Sequence, residues 1–335
     1  MAPYAPGPVV FRFSVTELYY ILSGTVVVIL FSQEDRSMYI EWNNLPLRRH
    51  GSEPVLRENR YPNGEDGELC LLTFPKLEET GILRHCFTTR DGGASEGMYT
   101  SLNFRDHEGE NRAHLLENFR RVARVFGTTE DRYVCTIQTH TKNVRVVTEE
   151  DAGKGTTRPR DYEDVDGLVT DVPGLILAAF TSDCVPVYFA DPRHRAVGIA
   201  HSGWRGTVQR ISREVIRRME VQYGTDPSDL VCAVGPSICQ DCYEISDDVA
   251  EHFLAAFPGH EEEILINKHN GHWQLDLWGA NRIILEEAGV PADQISVTDI
   301  CTCCNAGRLF SHRATGGMRG NNMAAIMLNP AEEER

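Results

Sequence analysis

Short apolar runs separated by polar turns make up most of the chain, and they predict strands mixed with a few helices. Runs of four to six apolar or β-branched residues between turn-forming residues are typical of strands buried on both faces. Such runs occupy residues 70–74, 144–148, 175–180, 185–190, 196–200, 231–234 and 324–328.

Three longer segments repeat apolar residues every three or four positions, which is the period of an amphipathic helix. Gly127, Gly224 and Gly289 follow the three segments and mark the helix ends. Their apolar faces consist of Leu115, Leu116, Phe119, Val122 and Phe126; of Val208, Ile211, Val215 and Met219; and of Leu277, Ala280, Ile283 and Ile284. Strands mixed with helices, without an internal linker, predict one α/β (α+β) domain over residues 69–330.

Residues 1–68 differ from the rest, and we interpret them as an N-terminal extension. They contain an apolar stretch over residues 18–31, which is shorter than the roughly 20 residues of a membrane-spanning helix. Gln33-Glu34-Asp35 follows this stretch, where a signal peptide would have small residues and a cleavage site. Two interpretations fit: a strand pair that turns at Ser23-Gly24, or a partly disordered or mis-assigned segment before a true start at Met38.

The charge balance argues against a nucleic-acid-binding protein. The formal net charge is −16, and non-specific binding to phosphates needs clustered Lys and Arg. Hydrophobic residues make up 41% of the chain, which is enough for a large core. Ten cysteines in 335 residues do not form the dense framework of a small secreted domain. We therefore expect a cytoplasmic protein with free thiols and no membrane anchor.

Two histidines and one cysteine stand where predicted strands end. His140, Cys184 and His201 each follow an apolar run, so each side chain would reach the rim of a sheet. Taken singly, such residues are more often part of a core than ligands of a metal. Together they predict a three-ligand zinc site, and the open fourth position is what distinguishes a catalytic zinc from a structural one. The pattern therefore favours an enzyme.

Several polar residues near these strand ends are candidates for binding an anion or a sugar. Arg205 lies between Gly203 and Gly206 at the start of a predicted helix, where unpaired N–H groups favour an anion. Arg90, Ser95 and Asn103 belong to one glycine-containing loop, and Arg313 belongs to another. The alternative is that these glycines and polar residues only allow the chain to turn.

The remaining cysteines include two pairs with the spacing of zinc knuckles, Cys239-x-x-Cys242 and Cys301-x-x-Cys304. The two pairs stand much farther apart than the roughly 15 to 20 residues of zinc-ribbon sites. The spacing therefore argues against a second, structural metal, and it argues still more strongly against a redox pair.

Six motifs, in this order, resemble the laccase-domain family, whose members have been called multicopper polyphenol oxidases, peptidoglycan editing factors and zinc-dependent purine nucleoside phosphorylases. The resemblance covers about residues 70–330. Ser202, His312 and Cys239 depart from the family pattern, and none of them is a proposed ligand. The motifs are Gln138-Thr139-His140, Asp166-Gly167-Leu168-Val169, Ser182-Asp183-Cys184-Val185-Pro186, His201-Ser202-Gly203-Trp204-Arg205-Gly206, Gly235-Pro236-Ser237-Ile238 and Phe310-Ser311-His312-Arg313.

This resemblance implies a zinc ion held by His140, Cys184 and His201 in a layered α-β-β-α sandwich, similar to that of Cys–His deamidases. It also implies phosphorolysis of adenosine, inosine, guanosine and methylthioadenosine, together with deamination of adenosine. The expected partners are thus purine nucleosides and phosphate, and the sequence specifies no oligomeric state.

The expected chemistry has two parts. Zinc bound in this way lowers the pKa of a bound water toward about 7, which suits attack on C6 of adenine. We expect Asp183, beside Cys184, to handle protons. For phosphorolysis we expect some of Arg90, Arg205 and Arg313 to clamp the phosphate.

Three alternatives remain open at this point. Cys184 could be the nucleophile of an amide hydrolase or cell-wall editing enzyme, with His201 as its base. A copper-dependent polyphenol oxidase needs closely paired imidazoles, but the 12 histidines include no His-x-His, and only His269-x-x-His272 comes near. The third alternative is a non-catalytic protein that binds a metal or a partner.

Overall fold

The strands pair into four sheets in a computed structural model of the chain. It describes the backbone of residues 11–12, 17–22 and 25–30, and residues 45–63 and 67–330 in full. The strands are β1 (Phe11–Arg12), β2 (Glu17–Leu22), β3 (Thr25–Leu30), β4 (Arg57–Pro62), β5 (Glu68–Thr73), β6 (Leu83–Thr88), β7 (Tyr133–Cys135), β8 (Val144–Val146), β9 (Gly167–Thr170), β10 (Ile176–Thr181), β11 (Val185–Asp191), β12 (Ala196–Ser202), β13 (Val231–Val234), β14 (Glu244–Ser246), β15 (Leu265–Asn267), β16 (His272–Leu275), β17 (Ile295–Val297) and β18 (Asn322–Leu328).

The helices are fewer than the strands, and half of them are short. They are α1 (Pro75–Glu78), α2 (Arg112–Val125), α3 (Trp204–Val208), α4 (Ile211–Tyr223), α5 (Asp247–Ala256), α6 (Glu261–Ile264), α7 (Leu277–Glu287) and α8 (His312–Thr315). The three helices predicted from apolar periodicity correspond to α2, α4 and α7. No helix in the described part of the chain has the length and apolar character needed to cross a membrane.

The chain divides into two compact units, Met1–Leu45 and Pro46–Arg335. In the first unit, β1, β2 and β3 form a small antiparallel sheet in which Leu22 pairs with Thr25. The predicted strand pair is therefore present. Ser23-Gly24 and Met38, which the sequence analysis also singles out, lie outside the described residues.

The second unit begins at Pro46, whereas the sequence analysis places the boundary at residue 69. β4 accounts for the difference, because it pairs with β5 over its full length, from Arg57↔Thr73 to Pro62↔Glu68. Its polar sequence, Arg-Glu-Asn-Arg-Tyr-Pro, lacks the apolar run by which the other strands are recognised. An edge strand of this kind gives little sequence signal.

Two six-stranded sheets of the second unit stack face to face. The first has the order β4-β5-β6-β18-β10-β7 and the second the order β17-β13-β11-β12-β9-β8. Leu177 and Ile326 from the first sheet and Tyr188 and Ile199 from the second belong to one buried apolar core. A third, three-stranded sheet in this unit has the order β14-β16-β15.

Helices cover the outer faces of both sheets. α2 contributes Phe119 and Val122 to a core with Ile176 of β10. α4 and α7 pack on the other sheet, where Val215 and Ile283 share a core with residues of β11 and β13. The layer order is therefore helix, sheet, sheet, helix, which confirms the predicted α-β-β-α sandwich.

The strand β10 shows why the sequences of the central strands are continuous apolar runs. Ile176 and Ala178 face the core beneath α2, whereas Leu177 and Ala179 face the core between the sheets. Side chains alternate between the two faces of a strand. Because both faces of the strand are packed, the run from Ile176 to Phe180 is apolar throughout.

We predict that Leu177→Ala destabilises the fold by about 2 to 5 kcal/mol, because it leaves a cavity in the core between the sheets. Urea denaturation would measure the loss. Val221→Ala on α4 is the matched control, because Val221 is 70% exposed and its truncation should change stability by less than about 0.5 kcal/mol. Equal effects of the two substitutions would contradict the packing described above.

Candidate active site

The hairpin of β11 and β12 brings Cys184 next to His201. Val185 pairs with Ser202, so the residue that precedes β11 lies beside the end of β12. His140 reaches the same place from the loop after β7. The ligand atoms of Cys184, His140 and His201 lie within 4.8 Å of one another, and Cys184 Sγ is 4.0 Å from His140 Nε2. The structure thus brings together the three metal ligands predicted from the sequence.

Asp166 fixes the orientation of two of these residues. One carboxylate oxygen is 2.8 Å from His201 Nδ1, which leaves Nε2 as the free ligand nitrogen. The carboxylate also accepts backbone N–H bonds from Thr139, His140 and Thr141, at 3.1, 3.1 and 2.9 Å. A carboxylate behind a metal-binding imidazole fixes its tautomer and raises its basicity.

Sequence reasoning did not select Asp166 as a site residue, although one of the quoted motifs begins with it. Burial alone would raise the pKa of this carboxyl group, but the hydrogen bonds from His201 and the backbone of Thr141 hold it below its usual value. The sequence does contain a feature that could identify Asp166 as a site residue, because it is an acidic residue directly before an apolar strand. Such a residue is buried with its charge only where donors surround it.

Two residues of the site have left-handed backbone conformations that side chains rarely adopt. The φ angle is 65° at His140 and 92° at Asp183, the residue before Cys184. Conformations of this kind persist only where surrounding contacts enforce them, and they are common at functional sites. The three N–H bonds to Asp166 supply that constraint at His140.

The local charges favour a thiolate at Cys184. Burial by itself raises the pKa of the thiol, but His201 and His140 more than offset this and lower it to about 6. For His201, burial lowers the pKa, whereas Cys184 and Asp166 raise it to about 9. Only the thiolate form of cysteine is a good metal ligand or nucleophile.

The three residues lie at one side of a cavity of about 350 Å³. Phe104, Phe119 and Phe180 provide apolar wall, and the Phe104 and Phe119 rings meet edge to face at 5.1 Å. The motif residue Gln138 holds Phe180 in place, because its amide donates to the Phe180 carbonyl and accepts from the Phe180 N–H. The cavity thus combines a candidate metal site with an aromatic surface.

Three arginines that sequence reasoning missed also line this cavity: Arg105, Arg160 and Arg319. Arg160 donates to the Thr136 carbonyl at 2.8 Å, and Arg105 donates to the Arg319 carbonyl at 2.9 Å. The Nε atom of Arg319 is buried and has no hydrogen-bond partner. Burial and the charge of Arg105 lower the pKa of Arg319. The three arginines give this part of the cavity a positive charge.

Comparison with known proteins fits this geometry. The family model described as "Multi-copper polyphenol oxidoreductase laccase" matches residues 84–329. The chain belongs to this laccase family. Purine nucleoside phosphorylase YlmD of Bacillus subtilis is 36% identical over 249 residues, which cover 73% of this chain and 88% of the relative. Adenosine deaminase RL5, from an unknown prokaryotic organism, is 34% identical over 71% of this chain and 91% of its own length.

A solved member of the laccase family has the same fold. The crystal structure of YlmD from Geobacillus stearothermophilus superposes with a TM-score of 0.75 at 32% sequence identity. The match covers 83% of this chain and all of that chain. The α+β architecture and the family relationship are thereby established together.

The arginines predicted to clamp phosphate in this laccase-family chain do not line the cavity. The Arg90 guanidinium donates to the carbonyls of Thr100 and Ala306. Arg313 donates to the carbonyls of Cys242 and Glu244. Arg205 is exposed, and its guanidinium lies 4.2 Å from the centre of the Trp204 ring. The guanidinium groups of Arg90 and Arg313 are therefore already hydrogen-bonded to backbone carbonyls.

Two other predicted residues, Ser95 and Asn103, form hydrogen bonds within the chain. Ser95 accepts a hydrogen bond from Asn118 at 2.9 Å. Asn103 accepts backbone N–H bonds from Arg105 at 2.8 Å and from Asn321 at 2.9 Å, and both of those residues line the cavity. Neither Ser95 nor Asn103 lines it directly.

The carboxylate of Asp183 bonds to the loop before β18. It accepts from the Thr302 hydroxyl and from the Arg313 backbone N–H, both at 2.6 Å. These bonds hold the left-handed turn that presents Cys184. The placement favours a positioning role for Asp183 over the proton transfer predicted from its sequence neighbour.

Gly203 of the laccase-family motif allows His140 and Cys184 to approach each other. A Cβ atom at this position would lie 2.7 Å from His140 Cδ2 and 3.0 Å from Cys184 Sγ. Both distances are shorter than the optimal carbon contact of about 3.5 to 4.0 Å. A larger residue would therefore push the two candidate ligands apart.

We predict that Gly203→Ala lowers zinc affinity by about tenfold or more while the chain stays folded, because the methyl group displaces two ligands. Competition with a chelating dye would measure the affinity, and circular dichroism would report folding. Gly206→Ala is the matched control, because its Cβ would meet no atom closer than 3.4 Å. Unchanged affinity in Gly203→Ala would contradict the assigned ligand set.

Proposed function

We propose that this chain is a zinc-dependent purine nucleoside phosphorylase that also deaminates adenosine. The observation that carries the proposal is one cavity that joins the Cys–His–His cluster to an aromatic wall and to three arginines. Relatives named purine nucleoside phosphorylase and adenosine deaminase support the same assignment. The expected substrates are adenosine, inosine, guanosine and methylthioadenosine, with phosphate as the second substrate.

The donor set fits zinc. Cys184, His140 and His201 would hold the ion, and one thiolate with two imidazoles is a common kind of catalytic zinc set. When bound there, zinc would supply a Lewis acid that polarises a substrate or lowers the pKa of a water molecule.

Copper fits the cavity less well. The same donors hold copper in electron-transfer sites that add a distant methionine, and no methionine lines this cavity. Oxidation by several copper ions would need more imidazoles than the two that this cluster contains.

The arginines that line the cavity are suited to binding phosphate. Phosphorolysis replaces the glycosidic bond with a bond from a phosphate oxygen to the anomeric carbon, so phosphate must lie beside the nucleoside. Arg105, Arg160 and Arg319 line the cavity and would offset its charge. The aromatic wall would hold the planar base.

The residues around the metal ligands have supporting tasks in this proposal. Asp166 keeps the proton of His201 on Nδ1 and stabilises positive charge on the imidazole. Asp183 holds the turn that presents Cys184. Phe180 and Phe119 exclude water from the base side of the cavity, because both side chains are largely apolar and packed together.

A second candidate function rests on the charge state of Cys184. A cysteine whose pKa is lowered to about 6, beside a histidine whose pKa is raised to about 9, is also the nucleophile–base pair of a Cys–His amide hydrolase. Such an enzyme would act without a metal. Amide substrates, including cell-wall precursors, would then replace nucleosides.

Chromatographic analysis after incubation of the zinc-loaded protein with adenosine tests the proposal. We expect adenine and ribose-1-phosphate only when phosphate is present, and inosine from deamination. Cys184→Ala should abolish both activities and the metal binding at the Cys184–His140–His201 cluster, because it removes a ligand there, while Cys232→Ala in β13 should keep them. Activity that survives chelators and depends on a thiol that iodoacetamide alkylates would favour the amide hydrolase instead.

We further predict that Arg319→Gln raises the KM for phosphate by roughly 10- to 100-fold, because it removes a charged hydrogen bond to the anion. Deamination of adenosine does not use phosphate and should continue. Steady-state kinetics with varied phosphate would measure the effect. Arg205→Gln is the control, because Arg205 is predicted from the sequence to bind phosphate but does not line the cavity. A larger change in KM for phosphate in Arg205→Gln than in Arg319→Gln would support the sequence-based prediction instead.

A further inference from the structure

A second cluster of metal-ligating side chains lies outside the candidate active site. It consists of His50, Cys239, Cys301 and Cys304, whose ligand atoms lie within 4.8 Å of one another. Across residues 45–63 and 67–330, no other group of three or more such side chains comes together apart from the active-site cluster. We propose that these four residues form a structural zinc site, an inference that is independent of the proposed function.

The sulfur of Cys301 is surrounded by hydrogen-bond donors. It accepts the backbone N–H of Cys239 at 3.3 Å and that of Cys304 at 3.4 Å, and Cys301 is fully buried. A cysteine binds metal as a thiolate, and N–H donors stabilise negative charge on the sulfur. Without a cation, this arrangement would surround an uncharged thiol that is only a weak acceptor.

His50 supplies the second observation. Its Nε2 atom is buried and has no hydrogen-bond partner, which is unfavourable for a polar group. The neighbouring Trp278 ring meets the imidazole edge to face at 5.5 Å, but its indole N–H donates to Ser237 at 2.7 Å. A metal ion would give this nitrogen the partner that it lacks.

Backbone pairing holds the three ligand-bearing segments together without help from a metal. Ser237 and Cys301 form an isolated bridge, and the Thr302 N–H donates to the Ser237 carbonyl at 3.0 Å. The His50 N–H donates to the Asp299 carbonyl at 2.7 Å. The ligands are therefore already in place. The sequence analysis argues against a second metal because the two cysteine pairs are far apart along the chain. That prediction does not hold for this cluster, because the tertiary fold brings Cys239 next to Cys301.

The ligand set indicates which metal the site takes. Three thiolates and one imidazole make a closed, four-coordinate set, which is characteristic of structural zinc. Tetrahedral zinc with sulfur at about 2.3 Å separates its sulfurs by about 3.8 Å, and the ligand atoms here lie within 4.8 Å of one another. Cys242 Sγ lies 3.5 Å from Cys304 Sγ, so a fourth thiol lies beside the site. A disulfide between these two residues is the competing chemistry.

The proposed zinc would stabilise two regions at once. Through His50 it ties the segment before β4 to the domain. Through the loop of Cys301 and Cys304 it supports Thr302, whose hydroxyl donates to Asp183 at 2.6 Å beside Cys184. The second site would therefore brace the turn that presents an active-site ligand.

The test is the zinc content of the full chain, prepared with zinc under reducing conditions and dialysed against metal-free buffer. We expect two zinc ions per chain, one for each cluster, as measured by mass spectrometry of the metal. Cys301→Ser and Cys184→Ala should each retain one. X-ray absorption of the zinc in Cys184→Ala should show three sulfur neighbours and one nitrogen, which the active-site cluster cannot provide.

Cys303→Ser is the matched control in the same loop, and it should keep both ions because Cys303 is outside the cluster. In His50→Ala, a chelator should remove the second zinc at least about tenfold faster than in the unmodified chain. This variant still tests the proposal if Cys301→Ser does not fold. A single zinc per chain that is lost in Cys184→Ala, unchanged zinc in Cys301→Ser, or a Cys242–Cys304 disulfide in the reduced preparation would overturn the proposal. None of these measurements depends on catalytic activity.

Discussion

Asp166 is fully buried, and its two oxygens connect the side chain of His201 to the backbone around His140. A buried carboxylate is costly unless donors surround it, so the loop has to fold around this charge. The folded loop places one candidate ligand in a left-handed conformation and turns the other toward Cys184. The charge of a residue that does not line the cavity thus determines the shape of the candidate metal site.

The two stacked sheets contribute different parts of the site. Cys184 and His201 come from the β11–β12 hairpin of one sheet, where strand pairing fixes their separation. Phe180 comes from β10 of the other sheet, and Arg319 precedes β18, the neighbour of β10. Residues from both sheets therefore line one cavity, with the candidate metal ligands and the three arginines on the same lining.

The predictable parts of the site are those that follow directly from strands. His140, Cys184 and His201 stand after apolar runs, so their convergence at a sheet rim could be expected from the sequence. Asp183 was chosen because it is adjacent to Cys184, but neighbouring side chains point in different directions, and its carboxylate bonds to the loop before β18.

The arginines and the second cysteine cluster show what local patterns cannot reveal. Arg105, Arg160 and Arg319 lie on loops without periodicity, and only the tertiary fold brings them to one cavity. Cys239 and Cys301 are 62 residues apart, yet the N–H of one contacts the sulfur of the other. Chain distance predicts contact only within a hairpin or a helix, whereas these contacts depend on which strands become neighbours.

The edge strand β4 has a consequence for the solubility of the protein. It pairs with β5, whose Leu69, Leu71 and Leu72 are buried, and its own side chains are mainly charged or polar. An apolar edge strand offers free backbone groups to another chain and promotes aggregation, whereas charged side chains at an edge disfavour such pairing. The family match begins only at residue 84, yet residues 57–62 give the first sheet an edge strand of this charged and polar kind.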